Sequence, residues 1–210
     1  MNDKIENIKH PLFRHLTGKD HTQFMFAAQN MCRTSHDPKT QTGAVVVAVE
    51  RMQFGDELLK RIIGRGSNTV PFELTDEIKN RFTANNMENQ DRYNLLVHAE
   101  ENAITDSLSN NLSTHKLDRA LYLPWYPCVN CAKTIANSGI KFLVHSTVSY
   151  DDPKYNFDAA REVIKLAGVE EFLFLPGDIP FKLSNYQYQS QHYADYYKSN
   201  AFQNFINKTK

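Results

Sequence analysis

The sequence predicts an α/β fold in three layers, a mixed five-stranded sheet with helices on both faces. Three observations carry that prediction. Gly43-Ala44-Val45-Val46-Val47-Ala48-Val49 is an unbroken run of small and β-branched apolar residues, the pattern of a strand buried on both faces. From residue 99 onward, helical and strand patterns alternate, at spacings that suit right-handed crossovers between parallel strands. Gly139 and Gly168 stand where helices of that alternation should end.

The elements follow in order. Residues 1–19 are polar apart from Pro11-Leu12-Phe13 and read as an arm. Asp20 with Gln23 three residues on fits a capping box, which starts a helix there. Phe24, Ala28 and Cys32, with Ala27 and Met31 beside them, form its apolar stripe, and Pro38 is expected to stop it. Cys32 on that stripe reads as a buried thiol that packs as a small hydrophobe. The strand over Gly43–Val49 is followed by a turn at Gly55-Asp56 and a returning strand over Leu59–Arg65, which together make an antiparallel hairpin.

Residues 71–96 are polar and rich in Asn and Glu, with a short helix expected around Glu73–Phe82; they read as an insertion over the top of the domain. The alternating region then gives helices over Ala99–Leu108, Cys128–Ser138 and Phe157–Ala167. Its strands run over Arg119–Leu123, Ile140–Val144 and Val169–Leu175. One domain therefore spans residues 1–180. Residues 181–210 hold eight of the 24 aromatic residues in one seventh of the length and form an extension. Tyr193, Tyr197 and Phe205 fall on a four-residue lattice with Ala201, which fits a helix whose aromatic stripe packs on its own domain or on a second subunit.

Composition excludes more than it assigns. The 210 residues carry 24 basic and 24 acidic side chains, so no overall basic field draws in nucleic acid. Three cysteines are too few and too odd for a disulfide framework, and a reduced, cytoplasmic setting is expected. The first residues lack an apolar signal-peptide core, and no apolar run is long enough to span a bilayer.

The chemistry lies in two short patterns, His98-Ala99-Glu100 and Pro127-Cys128-Val129-Asn130-Cys131. In a chain of this composition, their occurrence in this order has a chance probability of roughly 10⁻⁴. Cys128 and Cys131 stand three apart at a helix start, so both sulfurs reach one point over the first turn, where the helix dipole favours thiolates. His98 supplies a third ligand. Two sulfurs and one imidazole suit tetrahedral zinc with a position left open, one Zn²⁺ per subunit. Glu100 is free to face that open position as a proton carrier. A closed, purely structural zinc site needs a fourth ligand, for which His115 and His145 are candidates without motif spacing.

The pattern H-x-E…P-C-x-x-C is that of zinc-dependent nucleobase deaminases, and the resemblance runs from about Phe24 to Phe174. Arg33-Thr34-Ser35-His36-Asp37-Pro38 and Thr42-Gly43-Ala44-Val45-Val46-Val47 resemble the opening of deoxycytidylate deaminases. So do His98-Ala99-Glu100-Glu101-Asn102-Ala103-Ile104 and Tyr126-Pro127-Cys128-Val129-Asn130-Cys131-Ala132-Lys133. The chain is accordingly identified as a member of the cytidine/deoxycytidylate deaminase superfamily. The resemblance implies the cytidine deaminase-like fold and hydrolytic deamination of a cytosine nucleotide, dCMP to dUMP with release of ammonia.

The resemblance also implies roles. Glu100 shuttles protons between water, ring nitrogen N3 and the departing ammonia. Asn68, in Gly66-Ser67-Asn68-Thr69-Val70-Pro71, matches a position that approaches the sugar, and the backbone N–H groups of Ala99 and Cys128 lie near the base and water. Trp125 or Tyr126 lines the base pocket or packs on the sheet. Arg33, Lys39 and Arg65 are candidates for a phosphate. The loop after Asn68 lacks the extra glycines many such enzymes carry, and residues 71–97 contain no Cys or His for a second zinc. The expected partner is a small nucleotide, not a nucleic acid or a membrane, and a homo-oligomer is expected. Two other readings differ in kind. A tRNA adenosine deaminase would usually carry Glu where Tyr126 stands, and a silent zinc scaffold would have no need of Glu100.

Overall fold

The computed structural model describes residues 15–37, 40–51, 58–73, 75–83, 94–109, 117–146, 155–174 and 181–182. Helix α1 spans Gly18–Met31, and a 3-10 turn over Cys32–Thr34 continues it. Strands β1 (Gly43–Arg51) and β2 (Leu58–Ser67) follow, then α2 (Asp76–Thr83), α3 (Ala99–Ser109), β3 (Asp118–Leu123) and α4 (Val129–Asn137). Strand β4 (Phe142–His145), α5 (Phe157–Leu166), β5 (Glu170–Leu173) and β6 (Phe181–Lys182) complete the described elements.

The sheet has the order β2-β1-β3-β4-β5-β6. Strand β1 lies antiparallel to both β2 and β3, whereas β3, β4 and β5 are parallel. This is the expected mixed sheet of an antiparallel hairpin beside parallel strands. A sixth strand is an addition. Phe181-Lys182 pair antiparallel with β5, so the sheet takes two residues from beyond the division drawn at residue 180. Two residues carry no readable period, which is why the sequence pattern does not reveal them.

The core follows from strand alternation. Val45, Val47, Val49, Ala120, Tyr122, Phe142, Val144 and Phe172 face α1, where Phe24, Met25 and Ala28 meet them. Ala44, Val46, Ala48, Leu121, Leu123 and Leu143 face the other way, against Ala99, Ala103 and Ile104 of α3, Ala132 and Ile135 of α4, and Ala160 and Ile164 of α5. All six residues from Ala44 to Val49 are buried, so β1 is central to both layers. Burying each valine contributes about 1.5–3 kcal/mol.

Small residues let α3 press close. A Cβ on Gly66 would meet the Ala99 carbonyl oxygen at 2.2 Å, and one on Gly64 would meet that of Ala103 at 2.2 Å. A register shift in the β1–β2 pairing falls between Val46 and Val47, beside Ile63.

Helix α1 departs from the expected boundaries at both ends. Its cap is Thr17, not Asp20: Asp20 is the third helical residue and its side chain reaches back to the Thr17 N–H at 2.7 Å. A threonine oxygen with a carboxylate three residues on closes a capping box as well as Asp20 with Gln23 would. The helix stops at Met31 and tightens into the 3-10 turn, well before Pro38, which lies outside the described residues. Cys32 therefore sits past the end of the stripe, half-buried, with burial pushing its thiol up to about 11. Gly139 and Gly168 do take the left-handed backbone that ends α4 and α5, at φ 76° and 71°.

Beneath α1, His21 is buried with Nδ1 2.7 Å from the Tyr122 hydroxyl. Burial pushes His21 down to about 4. Between about pH 6.5 and 4 the unfolded chain takes up a proton there that the folded chain refuses, so stability falls as pH falls through that window. The full loss is on the order of 3 kcal/mol. Urea unfolding of the wild type and His21→Asn at pH 6.5 and pH 4.5 checks this. The wild type should lose stability over that interval by an amount the variant does not; equal losses would assign the acid sensitivity elsewhere.

Candidate metal centre and its acidic neighbour

Antiparallel pairing brings the start of β1 and the end of β2 to the same sheet edge as the end of β3. The loop from β3 to α4 and the entry into α3 therefore meet at one edge, where crevices of α/β sheets take ligands. Cys128 caps α4 with extended backbone (φ −68°, ψ 169°), and Cys131 is its third helical residue. His98 stands immediately before α3 and accepts the Asn102 N–H on its carbonyl at 3.0 Å. Glu101 Oε2 accepts the His98 N–H at 3.4 Å, so the acidic first turn fixes the histidine's backbone. Two helix N-termini converge on one point, which favours negative charge there.

The three donor atoms are in contact. His98 Nδ1 lies 3.2 Å from Cys131 Sγ and 3.6 Å from Cys128 Sγ, and the two sulfurs are 3.5 Å apart. Bonds of about 2.3 Å to sulfur and 2.0–2.1 Å to nitrogen around a tetrahedral zinc would separate these atoms by about 3.6–3.8 Å. The donor set thus fits a zinc ion in type, number and spacing. Among the described residues no fourth His, Cys, Asp or Glu joins the group. His145, weighed above as a closing ligand, bonds Glu171 instead, with Nε2 3.0 Å from Oε1. His115 lies outside the described residues.

The protons of the cluster are shared unequally. The hydrogen bond from Cys131, helped by that from His98, draws Cys128 down to about 4. The same contact with Cys128 holds the Cys131 thiol well above its ordinary value, and His98 is raised to about 9, chiefly by its hydrogen bond to Cys128. Glu100 is buried on the first turn of α3, and burial pushes its carboxyl up to about 7 against the opposing charge of His98. A carboxyl so placed exchanges a proton near neutral pH.

The other expected site residues fall at different depths. Asn68 is buried, and its Nδ2 donates to the Thr40 carbonyl at 2.9 Å while its Oδ1 accepts the Ala99 N–H at 3.0 Å. Tyr126 is buried, with its hydroxyl donating to Glu171 Oε2 at 3.2 Å, whereas Trp125 is 42% exposed. Arg33 and Arg65 are exposed, and Lys39 is outside the described residues.

Asn102 had no role in the sequence reading beyond its place in the motif. Its Nδ2 lies 2.8 Å from the Ser67 carbonyl and 2.9 Å from Thr69 Oγ1, beside the Thr69–Val97 bridge. It ties the loop that carries Asn68 to the helix that carries Glu100. The signal available for it is an asparagine one turn past His98.

The family model for the cytidine and deoxycytidylate deaminase zinc-binding region matches residues 18–147. The deoxycytidylate deaminases of Mus musculus and Homo sapiens are each 33% identical over 154 residues, covering 73% of this chain and 78% of theirs. A crystal structure of the dCMP deaminase from cyanophage S-TIM5 with dCMP and dUMP is 23% identical. It covers 76% of this chain and 100% of its own, with a TM-score of 0.51, and shows the shared fold.

Proposed function

Because the chain belongs to the cytidine and deoxycytidylate deaminase family, we propose that it is a hydrolytic deaminase that converts dCMP and water to dUMP and ammonia, with zinc held by His98, Cys128 and Cys131. The observation that carries this reading is the buried Glu100 beside a three-donor cluster that no fourth described side chain closes. Relatives that are 33% identical to this chain over 154 residues and are named deoxycytidylate deaminases support the choice of dCMP.

Zinc bound at the three donors would make water a competent nucleophile near neutral pH. Glu100 would take a proton from the attacking water and pass it to N3 of the cytosine ring as oxygen adds at C4. It would then take the remaining proton of that oxygen and deliver it to the amino group, so that the C4–N bond breaks, the C4 carbonyl forms and ammonia leaves. Burial raises the Glu100 carboxyl toward the neutral range, which favours a group that must both accept and return a proton. Asn68 and the first turn of α3 form a rigid wall for the nucleotide, braced by Asn102. Trp125, exposed and three residues before Cys128, would offer its ring to the base. Arg33 and Arg65 are the described cations offered to the phosphate. Three free thiols and no disulfide among the described residues support a cytoplasmic enzyme of nucleotide metabolism.

One assay tests the reading. Purified protein of measured zinc content is offered dCMP, CMP, deoxycytidine, cytidine, guanine and a tRNA anticodon stem-loop. Ammonia from dCMP, at least a hundredfold faster than from deoxycytidine, is the expected result. Turnover of the stem-loop in place of dCMP, or no turnover of any substrate by zinc-loaded protein, would overturn it.

A further inference from the structure

Tyr126 stands two residues before Cys128, at the end of the loop that leaves β3. Its side chain does not stop at that loop. The hydroxyl reaches β5 and donates to Glu171 Oε2 at 3.2 Å. The other oxygen of the same carboxylate, Oε1, takes the hydrogen bond of His145 Nε2 at 3.0 Å, from the last residue of β4. His145 in turn packs edge-on against the Tyr126 ring, with centroids 4.9 Å apart and planes at 87°. Phe157 of α5 meets the ring edge-on at 6.0 Å, and the Arg161 guanidinium lies 5.4 Å over its centroid.

Tyr126 and His145 are both almost wholly buried, at 5% and 1% exposure. A three-membered polar network in that position is costly unless every member is satisfied. Here each bond closes on another member, so the network is specified rather than incidental. Burial alone would raise the Glu171 carboxyl, yet the bonds from His145 and Tyr126 and the Arg161 charge hold it below its usual value. The result is a brace that spans three adjacent points of the sheet edge: the loop after β3, the end of β4 and the face of β5.

We infer that Tyr126, Glu171 and His145 are positioning residues that hold the Cys128 loop in its metal-binding geometry, and that Tyr126 acts through this brace without touching the base. A ring that is 5% exposed, with Arg161 over it, His145 and Phe157 against it and its hydroxyl committed to Glu171, is turned into the protein and away from a nucleotide. The mechanics are simple. Cys128 caps α4 through extended backbone, so its sulfur follows the loop, while Cys131 follows the helix. Of the two cysteines only Cys128 lies outside the turns of α4, and Tyr126 tethers its loop to β5 and, through Glu171, to the end of β4. The inference rests on the metal-binding part of the proposed function and not on the choice of substrate.

The test uses the full chain loaded with zinc, and with Co²⁺ in parallel. The variants are Tyr126→Phe, Glu171→Ala, Glu171→Gln and His145→Ala, each checked for folding by circular dichroism. Zinc release to a chromogenic chelator should speed up at least tenfold in Tyr126→Phe and Glu171→Ala, with a shift in the visible bands of the Co²⁺ protein. Glu171→Gln, which keeps the shape and can still join both partners, should restore release to within about threefold of wild type. The KM for dCMP should stay within twofold in Tyr126→Phe while kcat falls. Unchanged zinc release and unchanged Co²⁺ bands in folded Tyr126→Phe and Glu171→Ala would overturn the brace. A tenfold rise in KM with zinc release unchanged would make Tyr126 a base contact and overturn it too. Wild-type protein that binds no zinc would instead remove the proposed function, and the brace with it.

Discussion

Glu100→Gln is expected to leave the zinc content at one per chain and to cut kcat by at least a thousandfold. The side chain is the one buried carboxyl in the first turn of α3, next to but outside the three-donor cluster. Glutamine keeps its size and a carbonyl acceptor, so the packing against α3 is preserved. What it lacks is a site that can hold and release a proton. General acid–base groups contribute typically 10²–10⁴-fold, and a residue asked to move two protons in sequence belongs at the upper end. The same substitution should slightly stabilise the fold at neutral pH, because it removes a carboxyl whose ionised form burial disfavours. Zinc by atomic absorption, steady-state ammonia release and thermal melting make the three measurements. Turnover within tenfold of wild type would remove Glu100 from the reaction, and a loss of zinc would make it a structural prop for the cluster.

Glu100 also shows what was legible in advance. The His98, Cys128 and Cys131 cluster, its acidic neighbour and the parallel half of the sheet all rest on local patterns: two motifs, a buried valine run and two glycines that end helices. Such signals are short-range, and one chain carries them whole. The boundaries of α1 were less legible because Thr17-Asp20 and Asp20-Gln23 both satisfy the same capping geometry. Only the tertiary placement of α1 over β1 and β3 decides between them. Strand β6 escaped because two residues have no period. The brace from Tyr126 to Glu171 and His145 escaped for a different reason. Those residues are separated by 45 and 26 positions, and parallel pairing of β4 with β5 is what makes them neighbours. Asn68 and Asn102 are intermediate cases. Both are visible as polar residues in motifs, but that one anchors the first N–H of α3 and the other pins the Ser67–Thr69 loop follows only from the depth to which Gly64 and Gly66 let α3 descend.

Cys131→Ala is expected to abolish both zinc binding and turnover while the chain stays folded. The sulfur is wholly buried and lies within 3.5 Å of both other donors, and among the described residues no fourth His, Cys, Asp or Glu belongs to the group. The core that supports it does not depend on metal: Ala132 and Ile135, one and four residues on, are buried against the sheet on their own account. Zinc should therefore stabilise the wild type by mass action on a site already formed, an effect of about 2.7 kcal/mol when free zinc is a hundred times its dissociation constant. Chelation should lower the wild-type melting temperature and leave that of the variant unchanged. The pH dependence has a definite sign. Before zinc binds, protons are expected near neutral pH on His98, raised to about 9, and on Cys131, raised well above its usual value, while Cys128, drawn down to about 4, is expected to be ionised. Zinc must displace the first two, so uptake should release close to two protons at pH 7, and affinity should weaken as pH falls below about 9. Calorimetry in two buffers of different ionisation enthalpy counts those protons. A count near zero would mean that the ligands are preset for metal and that the expected sharing of protons across the cluster does not occur. Retention of stoichiometric zinc by Cys131→Ala would show that the ligand set itself is different.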